Sequence, residues 1–158
     1  MEIAFRKGIK EDAAVIAPLI KQNYNVKTKL DAMEFFEKDL NAGVNYVVAE
    51  AGNEIAGFAT WKEHDRPYHE LAELHAIAVD DSFKGKGLSM QLFSALLAQA
   101  KDYYAGHNYS LRKIYVLTHA TNERAIKFYE KMGFEKEAVL PKHYYHNVDE
   151  LVLSRYFY

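Results

Sequence analysis

Apolar positions recur along the chain in two periods, and the switches between them predict its elements. From Leu88 onward, Leu88, Leu92, Phe93, Leu96, Leu97, Ala100 and Tyr104 repeat at spacings of three and four, the stripe of a helix buried along one face. Just before it, Leu74 to Val79 is a short apolar run that breaks at Asp80-Asp81-Ser82, the pattern of a strand leaving a sheet. Upstream, Ile3 to Arg6 alternates as a short strand. Lys10 to Gln22 then predicts a helix with Glu11 and Asp12 in its first turn and an irregularity at Pro18, which lacks a backbone donor. Thr28 with Asp31 three residues later predicts a capped helix start, and Leu30, Met33, Phe36 and Leu40 predict the buried stripe of that helix, ending before Gly43. Asn45 to Glu50, the turn Gly52-Asn53 and Glu54 to Trp61 predict a hairpin. Lys62 to His69 is polar and turn-rich and predicts a solvated loop, as does Tyr104 to Ser110. Ile114 to Thr118 is a further apolar strand, and a helix capped by Thr121 or Asn122 ends at Gly133. The last strands are Glu135 to Leu140 and Glu150 to Phe157, separated by the aromatic turn Pro141 to His146.

Composition narrows the class. The 158 residues suffice for one domain with a single core, and 49% hydrophobic with 27% charged residues is the balance of a globular chain. A net charge of −2 supplies no electrostatic reason to expect nucleic acid. With no cysteine, disulfides, thiolate metal sites and a cysteine nucleophile are all excluded. No apolar run reaches the ~18 residues of a membrane span and the N-terminus lacks a secretory apolar segment, so a cytoplasmic protein without membrane contact is expected. His64, Asp65 and His69 match no established metal spacing, so no metal site is expected there.

Candidate chemistry concentrates at the joint between the central strand and the long helix, Lys84-Gly85-Lys86-Gly87. Two glycines let the backbone approach a ligand, the helix start points N–H groups one way, and two lysines add positive charge. This is an anion cradle, most simply for a phosphate. A Walker loop does not occur anywhere in the chain. The dinucleotide fingerprint fails because Met90 takes its third glycine position. Lys84-Gly85-Lys86-Gly87-Leu88-Ser89 instead resembles the acyl-CoA pyrophosphate loop of the GNAT superfamily of N-acetyltransferases, Q/R-x-x-G-x-G/A, with Lys84 for Gln or Arg and Ser89 for Gly or Ala. Some thirty residues later, Asn122 to Phe134 resembles the superfamily's second diagnostic segment, N-x-x-A-x-x-x-Y-x-x-x-G-F, at every fixed position.

The resemblance implies an α/β (α+β) GNAT fold: a mixed, twisted central sheet of six to seven strands flanked by helices, in the order β-α-α-β-β-β-α-β-α-β-β over a single domain, 1–158. It also implies acetyl transfer from acetyl-CoA to a primary amine, small or on a protein, by direct attack in a ternary complex. By carry-over, the backbone of Ile77, Ala78 and Val79 would pair with pantetheine, Lys84, Gly85, Lys86, Gly87, Leu88 and Ser89 would take the pyrophosphate, and Asn122 would contact the cofactor arm. Tyr129 falls on the family's general-acid tyrosine. Glu73, fourteen positions before Gly87, falls where histone-type lysine acetyltransferases carry their base, and shares a strand face with His75. Leu117 stands where N-terminal acetyltransferases often place a base, which leaves Glu70, His75 and His119 as alternatives acting through water. Tyr144-Tyr145 before Asp149-Glu150 resembles the tyrosine segment that lines the peptide channel of ribosomal-protein and N-terminal acetyltransferases, with Glu150 in place of alanine. The departures at Lys84, Ser89 and Leu117 keep a second class in view, an acyl-CoA-binding regulatory module without catalysis. The aromatic density from Tyr144 to Tyr158 predicts a homodimer or a monomer, with the C-terminal edge strands as the contact in the dimer.

Overall fold

The structure, a computed structural model, describes residues 2–144 and 147–158. Its elements are β1 (Ala4–Lys7), α1 (Ala13–Asn23), α2 (Lys29–Asn41), β2 (Asn45–Ala51), β3 (Glu54–Glu63), β4 (Leu71–Val79), α3 (Leu88–Gly106), β5 (Lys113–His119), α4 (Glu123–Lys131), β6 (Glu135–Tyr144) and β7 (Val148–Tyr156). Short 3-10 turns at Lys10–Asp12, Pro67–His69 and Asp81–Phe83 join some of them. The strands bond in the order β1-β2-β3-β4-β5-β7-β6, with β4 and β5 parallel and β1/β2, β2/β3, β5/β7 and β6/β7 antiparallel. Both the expected element order and the mixed sheet are found. The contacts divide the chain into two compact units, residues 2–62 with 76–102 and residues 63–75 with 103–158, and β4 contributes to each.

In the first unit β2 and β3 are buried on both faces, which is why their sequences read as continuous apolar runs. One face carries Tyr46, Val48 and Phe58 against Ile16, Ile20 and Phe36 of α1 and α2. Tyr46 meets Phe36 edge-on with ring centroids 4.8 Å apart and donates its hydroxyl to Asp39 at 2.6 Å, so the buried phenol is satisfied. On the other face Trp61 donates its indole N–H to Gln99 of α3 at 2.7 Å. The β2/β3 register shifts between Ala49↔Gly57 and Glu50↔Ile55, leaving Ala56 as the extra residue of a bulge. Asp12, nearly buried, accepts two Arg6 N–H bonds at 2.8 and 2.9 Å and the Ile9 amide at 2.8 Å, and these hold its carboxyl below its usual range.

Three expectations for this unit change. Lys10–Asp12 is a 3-10 turn, and α1 begins at Ala13 and continues through Pro18, whose ring lies on the exposed face. The Thr28 hydroxyl accepts the Asp31 amide at 3.0 Å as expected. Leu30, however, is 71% exposed; the α2 stripe is Ala32 and Phe36, flanked by Met33, Phe35 and Leu40, because the first turn overhangs the core.

In the second unit β5 alternates strictly, with Ile114, Val116 and Thr118 buried. In the β5/β7 ladder Val116 and Thr118 are register partners of the buried Leu153 and Leu151; Ile126 of α4 and Tyr104 of α3 are also buried, and the Tyr104 hydroxyl donates to the Leu71 carbonyl at 2.6 Å. β4 begins three residues earlier than the apolar run predicts, because parallel pairing of Leu71, Ala72 and Glu73 with Lys113, Ile114 and Tyr115 extends it into polar sequence. The expected turn from Pro141 is instead the continuation of β6 to Tyr144, and Pro141 is tolerated because β6 is the edge strand and is exposed almost throughout. Tyr145 and His146 lie outside the described residues. The Asp149 carboxylate accepts the Lys142 amide at 2.9 Å, so this aspartate braces the strand connection.

Candidate active site

The expected phosphate cradle, residues 84–89, lies in the first unit. Asp80 ends β4, and its amide donates to the Ala56 carbonyl of the bulge at 2.8 Å. Its side chain accepts the Ser82 amide at 3.0 Å and a Gln22 amide at 3.2 Å, fixing the strand exit against the end of α1. The Ser82 hydroxyl, which also donates to it at 2.5 Å, and then the Ser82 amide are the chief reasons this carboxyl sits below its usual range. Gly85 and Gly87 both take left-handed φ, +78° and +75°, and a methyl added to either would meet no protein atom within 4 Å. The conformation therefore demands glycine while the space beside it is open. The first bond of α3 runs from the Gln91 amide to the Gly87 carbonyl at 3.3 Å; the amides ahead of it belong to the set that a helix start leaves without an intrahelical acceptor. Lys84 pairs with Asp81 at 2.7 Å across an exposed turn, and Lys86 lies over the Phe83 ring at 5.6 Å, beside a cavity of about 290 Å³ lined also by Ile3, Leu88 and Gln91. Leu88 is buried and Ser89 half-buried, so these two side chains anchor the helix while the cradle is made of backbone and lysine. Of the β4 positions, Ala78 and Val79 are buried and Ile77 is half-buried.

The expected acid and base, Tyr129 and Glu73, lie in the second unit. Asn122 caps α4, its side-chain oxygen accepting the Ala125 amide at 3.1 Å, so only its NH₂ group is left to meet a ligand. Tyr129 sits in the last turn of α4 between the rings of Phe128 and Phe134, with centroids 5.6 and 5.8 Å away. Burial alone pushes its phenol above the ordinary value, so it keeps its proton throughout the neutral range. The helix end holds it in place. Gly133, at φ +90°, sends its amide to the Glu130 carbonyl and Phe134 sends its own to the Tyr129 carbonyl, both at 3.0 Å, the paired bonds of a Schellman cap. This explains the Y-x-x-x-G-F spacing: the glycine turns the chain so that Phe134 packs back on the tyrosine.

Glu73 and His75 do share a face of β4, with Glu73 Oε2 3.4 Å from His75 Nε2. His75 beside it, then Tyr115 and His64 nearby, hold the Glu73 carboxyl below its usual range although burial opposes them. Tyr115 is the register partner of Glu73 across the β4/β5 ladder, and its hydroxyl lies 2.7 Å from His64 Nδ1. Glu70 is committed elsewhere: at φ +55° it takes the Ser110 amide on its carboxylate at 2.6 Å, and its carbonyl takes the amides of Arg112 and Lys113. His119, 40% exposed, is joined through Nδ1 to the buried carboxylate of Glu150. Leu117 is half-buried and apolar, so β5 supplies no base at that position. Tyr144 is exposed, with its ring 6.4 Å from that of His119.

The sequence reading missed Tyr115 altogether, weighed His64 only as a metal ligand and took Glu150 only as a departure from the tyrosine segment. Tyr115 reads as an ordinary strand aromatic, and His64 falls in a polar stretch; what joins them to Glu73 is the register of two strands that lie some forty residues apart in the chain. Among the described residues no group of three or more metal-ligating side chains is assembled, and no helix is long and apolar enough to cross a membrane.

Comparison with known proteins identifies the family. An uncharacterized protein of Mycobacterium leprae is 32% identical over 112 residues, 69% of this chain and 28% of the relative. The N-alpha-acetyltransferase RimI of Mycobacterium tuberculosis is 26% identical over 110 residues, 69% of this chain and 64% of the relative. The chain thus spans about a quarter of one relative and under two thirds of the other. A GNAT-family protein of Desulfovibrio desulfuricans has the same fold, with a TM-score of 0.79 over 98% of this chain and 99% of that one at 21% identity. The profile of the Acetyltransferase (GNAT) family matches residues 13–134, well over half of the sequence and both of its diagnostic segments, and the chain belongs to that family.

Proposed function

We propose that the protein transfers an acetyl group from acetyl-CoA to a primary amine. The family uses acetyl-CoA, and what carries the reading to this chain is the cradle at 84–89. Two left-handed glycines stand with open space beside them at the start of a nineteen-residue helix, with Lys86 alongside, and these groups fit a diphosphate. The cradle amides and Lys86 would hold the pyrophosphate, Ile77 to Val79 the pantetheine arm, and the Asn122 NH₂ group would steady that arm. Bound acetyl-CoA supplies the activated carbonyl and the thiolate leaving group.

The chain's own residues supply the protons. Glu73, kept ionised by His75, takes a proton from the acceptor ammonium and frees the nitrogen lone pair for attack. Tyr129, kept protonated by burial, gives its phenolic proton to sulfur as the carbon–sulfur bond breaks, and the second proton that the nitrogen sheds on becoming an amide restores the phenol. RimI is named for α-amine acetylation, and an amine acceptor of a peptide or small molecule is the class we assign here.

The test is thiol release from acetyl-CoA against a panel of peptide N-termini, amino acids and polyamines, read with a disulfide chromophore. The chain has no cysteine, so every thiol detected is product. Turnover with one amine class supports the proposal. Tight acetyl-CoA binding without turnover on any of them would overturn it in favour of a regulatory module.

A further inference from the structure

Glu73 is the base in the reaction above, and the inference here rests on that reading. A carboxylate held below its usual range is a weak proton acceptor, and once protonated it has to be cleared before the next cycle. The structure puts a path beside it. In the parallel ladder Glu73 is the direct partner of Tyr115, so the two side chains project from the same face as neighbours. The Tyr115 hydroxyl is 2.7 Å from Nδ1 of His64. His64 follows the end of β3, its backbone pinned by its amide to the Leu71 carbonyl at 2.9 Å, and its side chain is open to solvent. The rings of His64 and Tyr115 meet edge-on at 5.7 Å. Carboxylate, phenol and imidazole therefore follow one another from the strand face to the surface.

We propose that Tyr115 and His64 are a proton exit for Glu73, Tyr115 passing the proton and His64 delivering it to water. A phenol has one proton and two lone pairs, so its O–H points either at Glu73 or at His64 Nδ1. While Glu73 is ionised it only accepts, and Tyr115 donates to it. When Glu73 takes the ammonium proton it becomes a donor. Tyr115 then turns its O–H to Nδ1 of a His64 that carries its own proton on Nε2. The Glu73 proton passes to the phenol oxygen as the phenol proton passes to Nδ1, and the resulting imidazolium loses its Nε2 proton to solvent; rotation of the exposed ring, which exchanges its two nitrogens, then turns an unprotonated nitrogen back to Tyr115. For the ammonium proton that Glu73 takes, one proton reaches water, while Tyr115 ends as it began. Burial, together with Glu73, pushes the phenol up to about 12, so a free phenolate is avoided and the two transfers are coupled. Histidine is the suitable last group because its ordinary range straddles neutral pH.

The other charged groups around His64 are accounted for. Glu73 and His75 face the site from β4, Glu63 of β3 accepts the Tyr103 hydroxyl, and Asp65 is engaged with His69 at 3.1 Å and lies 3.9 Å from Arg66.

The experiment is the pH profile of kcat/KM, with acetyl-CoA and the best amine of the panel, for the parent and for Glu73→Gln, Tyr115→Phe, His64→Gln and His64→Ala. Each variant is first checked for an unchanged melting profile. Glu73→Gln should lose ~10²- to 10⁴-fold at every pH. Tyr115→Phe and His64→Gln should each lose about tenfold at neutral pH, less than the base itself, with the KM for acetyl-CoA within about twofold. The acidic limb of the parent profile should be displaced in His64→Gln, and added imidazole should restore rate to His64→Ala. A merely structural histidine would give neither the displaced limb nor the rescue. If Glu73→Gln is inactive while the Tyr115 and His64 variants keep the parental rate and limb, the exit path is wrong and Glu73 stands alone. If Glu73→Gln keeps full rate, the base assignment itself falls.

Discussion

Replacing Gly57 with alanine should destabilise the first unit, and its packing sets the size of the effect. Gly57 lies on the α3 face of β3, where a Cβ would stand 2.8 Å from the Ala78 carbonyl oxygen, 2.9 Å from Leu92 Cδ1 and 3.5 Å from Leu88 Cδ2. Carbon contacts relax at roughly 3.5–4.0 Å, so two of the three must move by more than half an ångström. Leu92 is fully buried and has no empty space to turn into, and the carbonyl belongs to the backbone of β4. Overpacking of this kind costs ~1–3 kcal/mol, offset by the ~0.4–1 kcal/mol that losing a glycine gains through the unfolded chain. The net loss is therefore about 1–2 kcal/mol. At ~2–4 °C per kcal/mol for a chain of this length, the melting temperature should fall by roughly 2–8 °C. Gly106→Ala is the control. It sits at the end of α3 with nothing within 4 Å of the added methyl, and should melt at or slightly above the parent. Calorimetric melts of the three proteins make the comparison. If Gly57→Ala melts with Gly106→Ala, α3 does not press on β3 as closely as described and the overpacking argument is refuted.

Gly87→Val should abolish the thermal stabilisation that acetyl-CoA confers while lowering the unliganded melting temperature only slightly, because the site is open and only the φ of +75° is strained; a retained ligand shift would count against the cradle. Tyr129→Phe should lower kcat by ~10²- to 10⁴-fold and leave the acetyl-CoA dissociation constant nearly unchanged, since the ring between Phe128 and Phe134 is kept; single-turnover rates decide it, and an undiminished rate would make solvent the acid. Glu137 accepts from Lys113 at 2.7 Å, Ser154 at 2.6 Å and Tyr156, which hold its carboxyl at about 2. Its contribution is therefore complete above the ordinary value of 4.5 and lost as pH falls through about 2. At a side chain one-third exposed, screening keeps that contribution to about 1 kcal/mol, so urea midpoints of the parent and Glu137→Gln should differ at pH 7 and converge below pH 3; a constant gap would refute the linkage.

Fold and cradle were legible because each is written locally. The α3 stripe, the Gly85/Gly87 pair and the Asn122 to Phe134 segment place their side chains by short-range geometry, and the same caps that terminate α4 hold Tyr129. Strand limits were less legible, since β4 and β6 are lengthened by pairing with distant partners that override their polar or proline-containing sequence. Leu30 misleads because periodicity identifies a helix without saying where its first turn overhangs the core. The surroundings of Glu73 were the least legible. Neither Tyr115 nor His64 carries a signal of its own, and their relation to the carboxylate exists only once β4 and β5 are in register.

The bulge at Ala56 bears on which changes of length the chain tolerates. Residues added to the exposed Gly52-Asn53 turn lengthen a surface connection alone. Deleting Ala56 would restore an unbroken β2/β3 ladder and make the hairpin more regular, yet it would also remove the carbonyl that receives the Asp80 amide. Asp80 is where β4 gives way to the loop, and its side chain sets the Ser82 turn that leads to Gly85. A shortened chain would therefore hold a tidier sheet with the phosphate loop released from its anchor, folding well and binding acetyl-CoA poorly. Lengthening at the turn and shortening at the bulge, four residues apart, should thus have different consequences for the ligand, and families of length variants built at the two positions would separate a requirement of the sheet from a requirement of the site.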